Sequence, residues 1–146
     1  MLASELQLIE PRVIFNFYEF KDKPHDAARK KAYEYGFEFG RGLPQQLEIK
    51  DNDIEALATI FKLMHRNEPT AYIEASEKKL RVRNEGFCPV LHVASSLKIP
   101  WEWLCGNVGW PFFEGLGAAI VPDVELKIIQ WRKRGDPHCD HVYEVK

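Results

Sequence analysis

Residues 70–83 read TAYIEASEKKLRVR, and the fold follows from how the apolar positions repeat along this stretch. Ala71, Ile73 and Ala75 alternate with Tyr72, Glu74 and Ser76, and Glu77-Lys78-Lys79 then makes a polar turn. Leu80 and Val82 resume the alternation against Arg81 and Arg83. A period of two on both sides of a short turn predicts an antiparallel β-hairpin. Just upstream the period is different. Ile54, Leu57, Phe61 and Met64 lie at helical spacing, which predicts an amphipathic helix over Asp53–Arg66. Asp51 or Asn52 would cap it, and Asn67-Glu68-Pro69 would end it.

Further upstream, Ala28, Ala32, Tyr35, Gly36, Phe39 and Leu43 repeat at helical spacing. Pro24 suits the first turn of that helix with Asp22 as its cap, and Pro44 should stop it. Gly36 and Gly40 share one face, which serves either close packing inside the fold or the seam of a homodimer. Residues 1–23 carry no assigned structure, because Leu2–Phe20 reads equally as a strand or a buried helix. Downstream of Gly86, Val90, Val93, Ala94 and Leu97 predict another helix, closed by Pro100. Val124, Leu126 and Ile128 then begin a strand whose alternation slips at Ile128-Ile129, as a bulge would require. Arg132–Asp136 make a charged turn, and Cys139, His141, Tyr143 and Val145 share one face of the last strand. The expected fold is a single domain of the mixed α/β (α+β) class over residues 1–146. Two hairpins, Thr70–Arg83 and Val124–Val145, form one antiparallel sheet with helices packed on it.

Composition narrows the function. Twenty Lys and Arg stand against 22 Asp and Glu, so no basic excess points to nucleic acid. Glu102, Asn107, Pro111 and Glu114 interrupt the longest apolar-looking stretch, residues 101–121, and no membrane span is expected. The opening residues lack a basic region followed by an apolar one, so the expectation is a cytoplasmic chain without a secretory signal. Three cysteines, Cys88, Cys105 and Cys139, cannot complete an internal disulfide set. That directs attention to thiol chemistry, metal binding or plain burial.

Each of those three readings has its residues. Cys is commonly a small buried hydrophobe. As a metal centre, Cys88, Cys105 and Cys139 with His92 would supply three thiolates and one imidazole, a set suited to tetrahedral zinc. As a catalytic centre, Cys88 at the start of a helix would be a thiolate nucleophile, because helix N-terminal N–H groups favour the charged form. Cys139 would share that centre, His141 or His92 would serve as base, and Asp136 or Asp140 would orient it. A pocket is a further expectation. Trp101, Trp103, Trp110, Phe112 and Phe113 are interleaved with Gly106, Gly109, Gly115 and Gly117, a mixture that suits apolar walls and close backbone approach as well as plain core. Cys105, Trp103, Trp110 and Arg132 are the candidate ligand-binding residues for a small molecule. Arg132-Lys133-Arg134 reads either as a solvated turn or as a carboxylate site. His25, His65 and His138 read as solvated or capping residues.

Several of these residues also carry a resemblance. Cys88-Pro89, Cys105, Arg132 and then Gly135-Asp136-Pro137-His138-Cys139-Asp140 resemble the L-2-amino-thiazoline-4-carboxylic acid hydrolase-like family. Ile73-Glu74-Ala75-Ser76 and Leu80-Arg81-Val82-Arg83 look like that family's hairpin. The terminal element is similar to the ending of 4-vinyl-reductase-type ligand-binding domains, whose fold is shared with small TRAPP vesicle-tethering subunits. The likeness runs from about Ala27 to the C-terminus. It implies a small-molecule pocket between helices and sheet, and ring-opening hydrolysis of a cyclic amidine. Two positions depart from the pattern: His141 replaces an aromatic residue, and Trp131 stands where the zinc-binding relatives have a further cysteine.

Overall fold

The computed structural model describes residues 18–66, 68–86 and 88–146; the undecided opening segment lies, up to residue 17, outside them. Helix α1 (His25–Gln46) buries a stripe of small residues, Ala28, Ala32, Gly36 and Gly40, followed by Leu43. Pro24 occupies the position just before the helix rather than its first turn, and no side chain caps that end, Asp22 included. Pro44 does not stop the helix, which runs on to Gln46. Pro44 has no N–H to give the preceding turn, but it sits near the helix end, and the Leu47 N–H still reaches the Leu43 carbonyl at 3.0 Å to close the last turn. Helix α2 (Ile54–Met64) is capped by Asp53, whose Oδ1 accepts from the Ala56 N–H at 3.0 Å, one or two residues later than the sequence suggests.

Strands β1 (Ala71–Ala75) and β2 (Lys79–Asn84) form the first hairpin, with Ile73 opposite Val82. Strands β3 (Val124–Gln130) and β4 (Cys139–Val145) form the second. Together they make one antiparallel sheet, as expected, in the order β1-β2-β4-β3. The expected bulge is present: Ile128 pairs with His141 and Gln130 with Asp140, leaving Ile129 unpaired and 45% exposed.

Between the hairpins, helix α3 (Pro89–Leu97) ends before Pro100. Lys98 takes a left-handed conformation at φ 56°, and Leu97 is turned outward rather than into the core. Helix α4 (Trp101–Leu104), a π-helical turn (Cys105–Gly109) and helix α5 (Trp110–Ile120) then form one continuous helical run. Helix α2 lies over β1 and β2 and helix α5 over β3, on one face of the sheet, with α1 packed along α5. The main core joins Leu57, Ile60, Phe61, Leu80, Leu116 and Tyr143. A smaller cluster of Ala32, Ala94, Ile99, Leu104 and Val108 fills the space beside α3 and α4.

The glycines of α1 and α5 face each other. A Cβ on Gly36 would meet the Phe112 carbonyl, one on Gly40 the Leu116 carbonyl at 2.8 Å, and one on Gly115 the Tyr33 carbonyl. The Gly36–Gly40 face is therefore used inside the chain and is not a dimer seam. Gly115 likewise serves helix packing rather than a pocket wall.

Candidate functional site

The sheet register brings the candidate residues to one end of the molecule. Asn84 pairs with Cys139, so the end of β2 lies beside the start of β4. Four residues after Asn84 the chain reaches Cys88 at the head of α3. Gln130 pairs with Asp140, which puts the connection from Trp131 to His138 at that same end. Cys105 arrives from the helical run, as the first residue of the π-helical turn. Such wide turns often mark functional positions.

The three thiols are free, Cys88 half-buried and Cys105 and Cys139 buried. They lie within electrostatic reach of one another: Cys139 raises the pKa of Cys88, and Cys88 and Cys139 both raise that of Cys105. Cys88 does cap α3, its Sγ accepting the Leu91 N–H at 3.5 Å. The expected thiolate does not follow. Burial pushes the Cys88 thiol up, and this outweighs the N–H groups of Leu91 and Val90 and the charge of Arg132, which push it down. Burial, followed by the neighbouring Cys88, pushes Cys105 up to about 12. The Sγ of Cys139 accepts the backbone N–H of Arg132 at 3.4 Å.

Trp131 and Arg132 therefore influence all three thiols. The Trp131 indole favours the thiolate of Cys105, the Arg132 guanidinium that of Cys88, and the Arg132 backbone binds Cys139. Trp110 closes against Trp131 with ring centres 4.9 Å apart at 71°, so Trp110 does belong to this corner. Trp103 does not line it in the same way. Its ring packs with the smaller apolar cluster and edges His25 at 6.5 Å.

The remaining predicted residues go elsewhere. His92 is exposed, on the first turn of α3, and not enclosed with the buried thiols. Among the described residues no three His, Cys, Asp or Glu side chains are disposed to hold a metal ion, so the zinc set of Cys88, Cys105, Cys139 and His92 is not assembled. Asp136 holds the turn after β3 rather than a histidine: its Oδ2 accepts the Trp131 N–H at 2.8 Å and Arg134 at 2.6 Å. Those two contacts, the backbone one first, keep its carboxyl below the usual range. Asp140 faces away from the thiols, 2% exposed beside Arg81 at 3.4 Å and Arg83 at 3.6 Å. His141 lies 6.0 Å from Phe113. Burial lowers its pKa to about 4; Asp140 opposes the shift and His65 adds to it. A neutral imidazole and the raised thiols of Cys88 and Cys105 are not an activated thiolate–imidazolium pair.

Two features escaped the sequence reading. His65 does occupy the C-terminal cap of α2, as one of its two expected roles requires, and in addition its Nδ1 meets Glu68 Oε2 at 2.9 Å while its ring stacks on Phe61 at 6.0 Å. The His-x-x-Glu spacing at a helix terminus was the available signal. Second, the charged turn divides its labour. Lys133 lies 3.8 Å from Glu102 and Arg134 is held by Asp136, but Arg132 turns inward. Its Nε and Nη2 are buried without a hydrogen-bond partner, and His138 Nε2 is buried on the same connection. Leaving such donors unpaired costs about 1–3 kcal/mol each, which makes their concentration in one eight-residue connection a chemical feature. No family model and no curated protein matches the chain.

Proposed function

We propose that the protein is a small-molecule-binding domain whose ligand sits at the Trp131–Arg132 corner, among Cys88, Cys105, Cys139 and Trp110. The observation that carries this reading is the pair of buried, unpartnered Arg132 donors on the β3–β4 connection, beside three thiols and a pair of indole rings. Binding sites combine apolar walls with a few polar groups awaiting a partner. Binding without hydrolysis is favoured over thiol catalysis, because the thiols of Cys88 and Cys105 are held protonated and His141 is held neutral. The resemblance supplies the probe, 2-amino-thiazoline-4-carboxylate. Titrated into the protein, it should quench tryptophan fluorescence and raise the melting temperature, and chromatography should recover it unchanged. Ring-opened product above the buffer blank would establish the hydrolase reading instead. No fluorescence or thermal response to this probe or to simple aromatic acids and amides would end the binding reading.

A further inference from the structure

The unpartnered atoms of Arg132 are a particular pair. Nε and Nη2 form one edge of the guanidinium, with two N–H bonds pointing the same way at the spacing of two carboxylate oxygens. Both are buried and neither meets an acceptor. The other two cations of the triplet are engaged, Lys133 with Glu102 and Arg134 with Asp136, so neither competes for an anion at this corner. The nearest acidic side chain on the connection, Asp136, is itself held by Arg134 and the Trp131 N–H. The guanidinium acts on the Cys88 thiol, and the crossed rings of Trp110 and Trp131 stand at the same corner.

We propose that the Nε–Nη2 edge of Arg132 seats the carboxylate of an aromatic or similarly flat acid, which lies against the Trp110–Trp131 pair and covers Cys88. This rests on the binding reading above and goes beyond it by naming the ligand's charged group and its anchor. Two parallel N–H donors on a planar cation match a planar, singly charged acid better than a phosphate dianion, which would ask for more cationic neighbours than this corner offers. Because the same guanidinium favours the Cys88 thiolate, an anion placed on it withdraws that influence, and occupancy should be legible in the reactivity of the thiol.

Benzoate and its neutral isostere benzamide make the test, each titrated by calorimetry and each used to protect Cys88 from iodoacetamide. Benzoate should bind at least about tenfold more tightly than benzamide, the discrimination expected of a charge-assisted pair, and should slow Cys88 alkylation more. Arg132→Gln should abolish the preference. Arg132→Lys keeps the charge without the two-donor edge, so it should lose most of the preference and provides the reading if the glutamine variant fails to fold. Equal binding of benzoate and benzamide, or a preference that survives in both variants, would overturn the anchor while leaving a small-molecule site standing. Failure of both compounds to bind or to protect Cys88 would overturn the anchor and the binding reading together.

Discussion

Tyr143 donates its phenolic hydrogen to the carbonyl oxygen of Phe113 at 2.7 Å, tying strand β4 to helix α5 through the middle of the core. The ring is 1% exposed and packs on Phe61 at 5.5 Å, so the tyrosine end of the contact is sheltered from water. Tyr143→Phe keeps the ring and removes the hydroxyl's bond to a carbonyl that keeps its own helical donor. The expected loss is about 1–2 kcal/mol. For a chain of this size that lowers the melting temperature by roughly 2–8 °C with the far-ultraviolet circular dichroism unchanged. An unchanged melting temperature would mean that the hydroxyl's bond adds nothing to stability.

The α1–α5 contact should be far less tolerant than its helical surroundings. In Gly36→Ala the new methyl meets the Phe112 backbone, which cannot rotate away, and the two helices must separate. Overpacking of this kind costs about 1–3 kcal/mol. Gly42 lies on the same helix, but the nearest atom to its added Cβ is Gln46 Nε2 at 3.9 Å. Gly42→Ala should therefore stabilise, by up to about 1 kcal/mol from helix propensity alone. Opposite signs for these two alanines in urea denaturation would verify that the seam lies within the chain. Equal tolerance would refute it.

Stability should depend on His141 in mildly acidic solution. Its folded pKa of about 4 lies below the ordinary 6.5, so the unfolded chain takes up a proton that the folded chain refuses. The stabilising contribution is fully present above pH 6.5 and is lost as the pH falls toward 4. At the full shift it amounts to roughly 3 kcal/mol. Asp136 and Glu144, whose pKa values are also lowered, lose their contributions from their ordinary values of 3.8 and 4.5 downward, so the upper part of the window belongs to the histidine. His141→Gln should flatten the slope of unfolding free energy between pH 6.5 and 4. If the slope persists unchanged in that variant, another group carries it.

The sheet was readable because its strands have one wet and one dry face, so a period of two survives in the sequence. Even the defect at Ile128-Ile129 was visible as two apolar residues in succession. The helix ends were less readable. Asp51, Asn52 and Asp53 are all competent caps, and only backbone geometry selects Asp53. The site was half readable for a different reason. The strand pairing brings Cys88, Cys139 and Arg132 to one corner, and Cys105 and Trp110 reach it from the helical run. Their ionisation was not accessible from position along the chain. The place of Cys88 at a helix start argues for a lowered pKa, and only three-dimensional burial reveals the larger opposing effect. Nor does the order Arg132-Lys133-Arg134 reveal which cation turns inward, since that depends on Glu102 and Asp136 engaging the other two.

Thiol labelling should expose this balance between access and ionisation. Cys88 is half-buried whereas Cys105 and Cys139 are buried, so iodoacetamide should modify Cys88 first in the native protein. The reaction consumes the thiolate. Because burial holds Cys88 above its ordinary value of 9.0, the labelling rate should rise through a midpoint beyond that pH. Cys105, held near 12, should remain unlabelled long after Cys88 has reacted, and urea should make all three cysteines equivalent. Cys88→Ala removes the sulfur that accepts the Leu91 N–H at 3.5 Å, a weak cap, and should cost about 1 kcal/mol. Peptide mapping of the labelled protein across pH 7–10 reads the outcome directly. A Cys88 midpoint below that ordinary value of 9.0 would show that the helix start and Arg132 outweigh burial, and would return Cys88 to the role of nucleophile.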